Sequence, residues 1–330
     1  MIDAPNRLPA WLRTAVLIGG LGALAAAPLL GAGNFMIVVL TQVLAYGLLA
    51  MSVNLLVGYT KLFTLAHAAY FGVGAYATAL AANNWGANSL MQLGVAIGAA
   101  AAVAAASGWI AVRTSGTMFL MLSLAIGELL QILALQWESV TRGSNGLSAA
   151  PPFEIFPGVP VTLTGVVYWY AFVVFLVVVG LLVLLSRSPF GWALRGIGDN
   201  EARMRAIGYP TAIYKYTVFV ISGAVAGAAG WVLVAQLPRF VSPESMSFMT
   251  AGLILLAVVI GGQRSMVGSF IGAALIVVVN VVLSPNLNGH GPLLLGVVFM
   301  VAVYALPRGL SGMKFLQGRL AGANVREEGR

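Results

Sequence analysis

Apolar residues run along this chain in long unbroken stretches, separated by short clusters of polar residues, glycine and proline. Neither the alternation of a half-buried strand nor the one-sided stripe of a water-facing helix is the dominant pattern. Crossing the hydrocarbon core of a bilayer takes a helix of about 20 apolar residues. Cut at its polar clusters, the chain yields ten such candidates, at 14–30, 35–57, 62–82, 90–112, 117–137, 166–185, 216–236, 246–262, 266–283 and 292–306. The eighth and tenth are short for a span, and 62–82 follows a glycine-broken approach that reads equally well as re-entrant, so eight or nine crossings are the alternatives to ten. The pattern therefore predicts an all-α polytopic membrane protein, a bundle of about ten transmembrane helices.

Composition supports that class. Hydrophobic residues make up 60% and charged residues only 8% of the 330 positions, where a soluble domain carries about a quarter charged. Charge then supplies an orientation, because cytoplasmic loops collect Lys and Arg. With the N-terminus inside, Arg7, Arg13, Lys61, Arg113, Arg187, Arg195, Arg203, Arg205, Lys215, Arg264, Arg308, Lys314, Arg319, Arg326 and Arg330 all fall on the inner side, and only Arg142 and Arg239 on the outer. Both termini are thus predicted cytoplasmic. The domain reading is a tail at 1–13, a transmembrane domain at 14–312 containing a cytoplasmic loop at 186–215, and a tail at 313–330. The net charge of +8 is explained by orientation, so no nucleic-acid partner is predicted. Arg7 and Arg13 ahead of 14–30 imitate a secretory signal, but the nine apolar segments that follow favour a retained first span.

The absence of cysteine excludes disulfides, thiolate nucleophiles and Cys-ligated metals. None of Lys61, Lys215 and Lys314 follows a glycine, so the chain lacks a phosphate-cradling Gly-Lys loop. His67 and His290 stand far apart without carboxylate ligands near them, and no Ser-His-Asp set is visible. No catalytic residue, metal or cofactor is predicted, and an intramembrane enzyme ranks last among the readings. Gly94 and Gly98, Gly223 and Gly227, and Gly268 and Gly272 have the small-xxx-small spacing that lets helices approach closely in lipid. Glycine-rich breaks at 58–74 and 261–272, one in each half, raise the expectation of a duplicated five-helix architecture.

Polar residues inside spans are the candidates for a translocation path, because burying them there is costly. Glu128 interrupts MFLMLSLAIGELLQILALQW, with Gln131 on the same helical face; Asn54, His67 and Asn280 complete the set. The competing explanations are a carboxyl group bonded between helices for Glu128 and a packed, hydrogen-bonded imidazole for His67. The outer loops at 83–89, 138–164 and 237–245 read as a rim able to receive a soluble partner, or as simple connections.

One segment is unlike the rest. SRSPFGWALRGIGDNEARMRAIGYPTAIYK, at 186–215, is long, polar and basic. Pro189 and Gly191 are read as breaking the preceding span. Asp199 or Asn200 then caps a short helix that ends at Gly208 before Pro210. Ile197, Met204, Ile207 and Tyr209 would enter a groove on a partner while Arg203 and Arg205 face acidic groups; the alternative is a basic helix lying on anionic lipid.

Five blocks now carry a resemblance: SVNLLVGYTKLFTLAHAAYFGVGAY, RTSGTMFLMLSLAIGELLQILALQWESVTRGSNGL, SRSPFGWALRGIGDNEARMRAIGYPTAIYKYTVFVISGAVAGAAG, FVSPESMSF and LPRGLSG. In this order, spread over about 52–312, the chain resembles the LivM-type permease subunit of high-affinity branched-chain amino-acid ABC importers. The resemblance implies a heterodimer with a sister permease, two cytoplasmic ABC ATPases, a periplasmic or lipid-anchored substrate-binding protein and a small-molecule substrate, in the bacterial inner membrane. It also implies an ATPase-coupling helix made by Asp199, Asn200, Glu201, Ala202, Arg203, Met204, Arg205, Ile207 and Gly208. The chain departs from the family pattern at 65–68, at Gln263 and Arg264, at Arg142 where glycine is usual, and at Ser269 where proline is usual. A urea or short-amide importer of the same architecture, or an ion-coupled secondary carrier, are the alternatives.

Overall fold

A computed structural model describes residues 33–86, 88–149, 153–154, 160–161, 164–235, 239–263 and 265–283, with Gly22, Leu24, Ala26, Pro28, Gly296 and Met300 besides. Most of the predicted spans 14–30 and 292–306, both tails, Arg264 and His290 lie outside the described residues. Eleven helices follow in order: α1 (Asn34–Thr60), α2 (His67–Trp85), α3 (Ser89–Ala111), α4 (Gly116–Gln136), α5 (Glu138–Thr141), α6 (Thr164–Arg187), α7 (Pro189–Asp199), α8 (Glu201–Ala206), α9 (Thr211–Ala235), α10 (Phe248–Gly261) and α11 (Met266–Val277). A π-helical turn at Val278–Leu283 extends α11. Among the described residues six helices are long and apolar enough to cross a membrane: α1, α3, α4, α6, α9 and α11 with its extension. The chain is an all-α, multi-pass membrane protein.

Two ends of the bundle can be told apart by contact. Lys61, just past α1, pairs with Asp199 at 3.4 Å, and Tyr216 near the start of α9 bonds to Ala105 O in α3 at 3.2 Å. These contacts gather Lys61, the C-terminal end of α3 with Arg113, and the whole of 186–215 at one end, the elbow end. At the other end β1 (Leu147–Ser148) pairs antiparallel with β4 (Phe240–Val241), and Asn83 Nδ2 donates to Ser148 O at 3.0 Å. That is the rim end, and it holds Arg142 and Arg239. A smaller pair, β2 (Phe153–Glu154) with β3 (Pro160–Val161), belongs to the same loop.

Helix α9 occupies the centre, against α1, α2 and α3. Its sequence explains why: Gly223, Gly227 and Gly230 present backbone rather than side chains, and a Cβ on any of them would strike Ala104, Ala100 or the backbone of Phe71 and Ala75. Gly74 of α2 meets Gly227 backbone to backbone. Such approach exposes no extra polar group to lipid and maximises dispersion contact. Of the three glycine pairs singled out in the sequence, Gly223 and Gly227 and Gly268 and Gly272 pack in this way. Gly94 and Gly98 do not: nothing lies near them, because that face of α3 points away from the bundle.

Helices α1, α2 and α3 begin at 34, 67 and 89, and α9, α10 and α11 begin at 211, 248 and 266, a nearly constant separation. The first set runs rim to elbow, back, and again to the elbow; the second runs in the opposite sense throughout. In each set the second helix is short and is preceded by non-helical chain inserted into the bundle. Residues 61–66 rise until Leu65 N reaches Ser123 Oγ of α4 at 3.1 Å. Residues 239–247 sink until Met246 lies against Gly72. Lys61 (φ 56°) and Arg239 (φ 57°), at matching places in the two sets, both have left-handed backbone. Non-helical chain is tolerated at membrane depth only where protein covers it, and here Leu62, Thr64, Ala66, Val241, Pro243 and Met246 are buried. The described residues thus contain an inverted repeat of three helices, and 62–82 is resolved as an inserted strand of chain followed by α2, not one continuous span.

The elbow corrects a second expectation. Pro189 does not merely end the preceding span; it stands at the first position of α7, where its missing N–H costs nothing. Ser188 caps the helix by accepting from Gly191 N. The segment therefore holds two helices, α7 of 11 residues and α8 of six, in place of a single one over 199–208. Helix α9 also begins five residues before the predicted 216, so that Lys215 sits in its first turns.

Substituting Gly227 by Leu is expected to disrupt the α9 contacts with both α2 and α3, because overpacking a filled interface costs about 1–3 kcal/mol or more. Thermal unfolding in detergent should show a midpoint several degrees lower, or loss of monodisperse protein; an unchanged midpoint would contradict this packing.

Candidate functional site

The elbow is built from two helices held to the bundle on one side and bare on the other. Leu194 and Ile197 of α7 are buried, and Gly198 passes so close to Tyr59 O that a Cβ would not fit. Arg195 lies between the rings of Tyr59 and Trp192, 4.9 and 5.0 Å from their centroids, and donates to Ser186 O at 3.1 Å. Asn200 caps α8 through Oδ1, which accepts from Arg203 N at 2.9 Å. Asp199 is not the cap; it faces Lys61.

Glu201, the first residue of α8, ties the elbow to α9. Its Oε1 receives Lys215 Nζ at 2.9 Å, an Arg205 nitrogen at 3.0 Å and Thr211 Oγ1 at 3.2 Å. The Lys215 side chain is 7% exposed, and a cation that far out of water is costly without a partner. Partial burial alone would raise the Glu201 pKa, but the Lys215 hydrogen bond and charge, with the bonds from Thr211 and Arg205, outweigh it and hold the carboxyl below its ordinary range.

On the far side Ala202, Arg203, Arg205, Ile207 and Gly208 are exposed. Ile207 is 65% and Tyr209 40% exposed, so these two apolar side chains are presented outward as the sequence led us to expect. Ile197 is not, being 3% exposed, and Met204 packs back on Gly196. Neither is available to a partner: the amphipathic α7 turns its apolar face inward, and α8 folds over it. Gly208 closes the segment at φ 93°, with open space around it.

Inside the bundle the candidate path residues do not form one chain. His67 begins α2, buried, with Nε2 2.5 Å from Ser222 Oγ of α9 and Nδ1 3.2 Å from Thr64 Oγ1. Ser222 Oγ spends its own proton on Ser52 O of α1, at 2.6 Å, so it accepts from His67 Nε2–H. In the neutral Nε2–H form of the ring Thr64 donates to Nδ1, and both nitrogens are used. This geometry pins α1, α2 and α9 together and favours the packed-imidazole reading. Asn54 is buried in α1 with both amide atoms lacking a hydrogen-bond partner; it lies beside Gly58, where the Gln263 carbonyl of the α10–α11 turn comes closest. Glu128 and Gln131 are half-buried on α4, and Gly127 beside Glu128 lies against Leu65 and Ala66. Asn280 lies in the π-helical turn and lines a cavity with Gln42.

Sequence reasoning missed Ser222, Thr250 and the Glu201–Lys215 pair as a unit. Only the last left a trace, an acidic residue at a helix start followed by a lysine in an apolar span. At the rim, Arg239 is 4% exposed with a nitrogen 3.3 Å from Gln92 Oε1. Arg142, where glycine was the usual residue, adopts left-handed backbone at φ 61°, which explains that preference.

A family model described as branched-chain amino acid transport system / permease component matches residues 35–304. The chain is similar to the high-affinity branched-chain amino acid transport system permease protein LivM of Escherichia coli (strain K12), 30% identical over 87% of this chain and 72% of that protein. It is also similar to the LivH permease protein of the same organism, 24% identical over 81% of this chain and 91% of the relative, and to the fructose import permease protein FrcC of Rhizobium meliloti, 26% identical over 49% and 47%. No solved structure is found to match the chain.

The Glu201 pair carries a pH signature. A carboxyl whose folded pKa is depressed adds stability above its unfolded pKa of about 4.3, and that stability is lost as pH falls through the folded value. Glu201→Gln should lower the thermal midpoint clearly at about pH 7, and the gap to the unaltered protein should close as pH falls to about 3. A gap independent of pH would show that the charge on Glu201 is not what holds α8 to α9.

Proposed function

Because the chain belongs to the branched-chain amino acid transport system permease family, we propose that it is the membrane-spanning subunit of an ATP-binding-cassette importer that moves branched-chain or related amino acids into the cytoplasm. The observation that carries this reading is the family match across residues 35–304, joined to an elbow with a bare basic and apolar face. Two ATPases would take hold of α8 from the cytoplasm, a sister permease would complete the path, and a binding protein would deliver solute at the rim. The chain itself supplies no group for ATP hydrolysis in this scheme; its role is mechanical.

The roles of the parts follow from geometry. Exposed Arg203, Arg205, Ile207 and Tyr209 supply the docking face, with two charges for acidic groups and two apolar side chains for a groove. Glu201 passes displacement of α8 to Lys215, and so to the central helix α9. The inverted arrangement of α1–α3 and α9–α11 suits alternating access by rocking one set against the other. Bacterial inner-membrane placement, cytoplasmic termini and a count of about ten spans, with the domain limits 1–13, 14–312 and 313–330, belong to the same proposal. Sidedness from charge supports it, since the elbow end gathers Lys61, Arg113, Arg187, Arg195, Arg203, Arg205 and Lys215.

A relative matched along 49% of this chain is a fructose import permease, so related permeases serve other solutes and cargo is tested directly. In vesicles holding the permease pair and its ATPases, with ATP on the cytoplasmic side and binding protein on the other, uptake of radiolabelled leucine, isoleucine or valine should require ATP. Uptake that persists without ATP and collapses with an ionophore would overturn the reading in favour of a secondary carrier. Reversing Arg203 to Glu should lower ATP-driven uptake about tenfold or more, the equivalent of at least about 1.4 kcal/mol, while the complex still assembles. Gly208→Val should act in the same direction, because a β-branched residue is strained at this backbone angle. Normal transport by both variants would remove the docking role.

A further inference from the structure

A cavity of about 250 Å³ opens between α1, α10 and α11. At about 30 Å³ for a water-sized group, it has room for roughly eight such groups, on the scale of one amino acid. Its polar lining is Gln42 and Tyr46 from α1, Thr250 from the first turn of α10 and Asn280 from the π-helical turn after α11. Ile254, Ile276 and Val277 supply much of the apolar wall. None of the described lining residues carries a formal charge.

Two independent features mark the place. The cavity sits where the second repeat is broken, beside the first turn of the short helix α10, and short interrupted helices in inverted repeats are where transporters build their solute sites. Asn280 is also carried by an i→i+5 turn, a departure from α-helix that is rare and concentrates at functional positions. An α-helical continuation of α11 would turn position 280 to a different bearing.

We propose that this cavity is a low-affinity resting site for a small zwitterion with an aliphatic side chain. The proposal rests on the permease reading above and adds to it the place where the solute pauses. Neutral amides donate and accept, so Gln42 and Asn280 can meet an ammonium and a carboxylate together, while a ligand of net charge would enter without a counter-charge. The isoleucine and valine wall takes the aliphatic part. Hydroxyls and amides without an ionic partner bind weakly, and conduction needs a site that releases its occupant.

The chain contains no cysteine, so Asn280→Cys and, separately, Gln42→Cys each carry a single thiol. The rate of alkylation by a small maleimide is measured on the full chain in nanodiscs, with leucine, valine, glutamate or lysine added, and Ser144→Cys in the exposed rim loop as control. Leucine and valine should slow the reaction at 280 and 42 by a factor of 1 + [L]/Kd, about tenfold at a concentration near ten times Kd, with no slowing at 144. Glutamate and lysine should have far less effect. Equal protection by the charged amino acids would overturn the ligand class, and no protection at either thiol would overturn the site. If the unaltered complex imports leucine yet neither thiol is protected, this proposal fails and the permease reading stands. If the thiols are protected while the complex imports none of the three amino acids, the site stands and the transport reading falls.

Discussion

Backbone-to-backbone contact along one side of α9 is the constraint from which the remaining architecture follows. Gly223, Gly227 and Gly230 let α2 and α3 approach until Gly74, Ala96, Ala100 and Ala104 fill the spaces that side chains would take. In lipid no hydrophobic effect drives helices together, so close fit has to supply the attraction. That fit places Ser222 opposite His67 and Ser52, and the resulting hydrogen-bond chain fixes the height at which α2 starts. The inserted segment 61–66, the level of α1 and the pairing of the rim loops all depend on it.

Helix α9 also reaches both candidate functional ends. Its first turns hold Lys215, clamped by Glu201 of the elbow; past its last residue the chain reaches β4, which pairs with the long rim loop through β1. A rigid helix with its middle packed on three neighbours passes a displacement at one end to the other. The Glu201–Lys215 pair is well suited to that task because a carboxylate and a largely buried ammonium cannot separate without leaving a charge uncompensated. On the elbow's opposite face Arg203, Ile207 and Tyr209 stand exposed, and Arg205, though paired with Glu201, is exposed beside them.

Much of this was legible in the sequence. The limits of α3, α4 and α6 fell within a residue or two of the expected spans because long apolar runs in lipid leave helix as the only way to satisfy the backbone. The gathering of charge at one end was legible too, since Arg142 and Arg239 alone among the described basic residues lie at the rim. The elbow was read as one helix because Pro189 signals both a stop and a start, and only Ser188 as its cap decides between them. Asn54, His67, Glu128, Gln131 and Asn280 were chosen as polar residues in apolar runs, a rule blind to direction. His67 turned out to be bonded to Thr64 and Ser222, Glu128 and Gln131 are half-buried on α4, and Asn280 lines a cavity whose other polar groups come from distant segments. Partners such as Ser222 and Thr250 are ordinary residues in sequence, and only tertiary packing gives them a role.

The account turns on the elbow being a cytoplasmic handle for an external motor. The most direct test introduces a single cysteine at Arg203 and, separately, at Ser144, into a chain that has none. Sealed cells or vesicles of known orientation are then exposed to a membrane-impermeant thiol reagent. Position 144 should label from outside; position 203 should label only from the cytoplasmic side, and bound ATPases should shield it. Labelling of position 203 from outside, or its full reactivity within the assembled complex, would contradict the account.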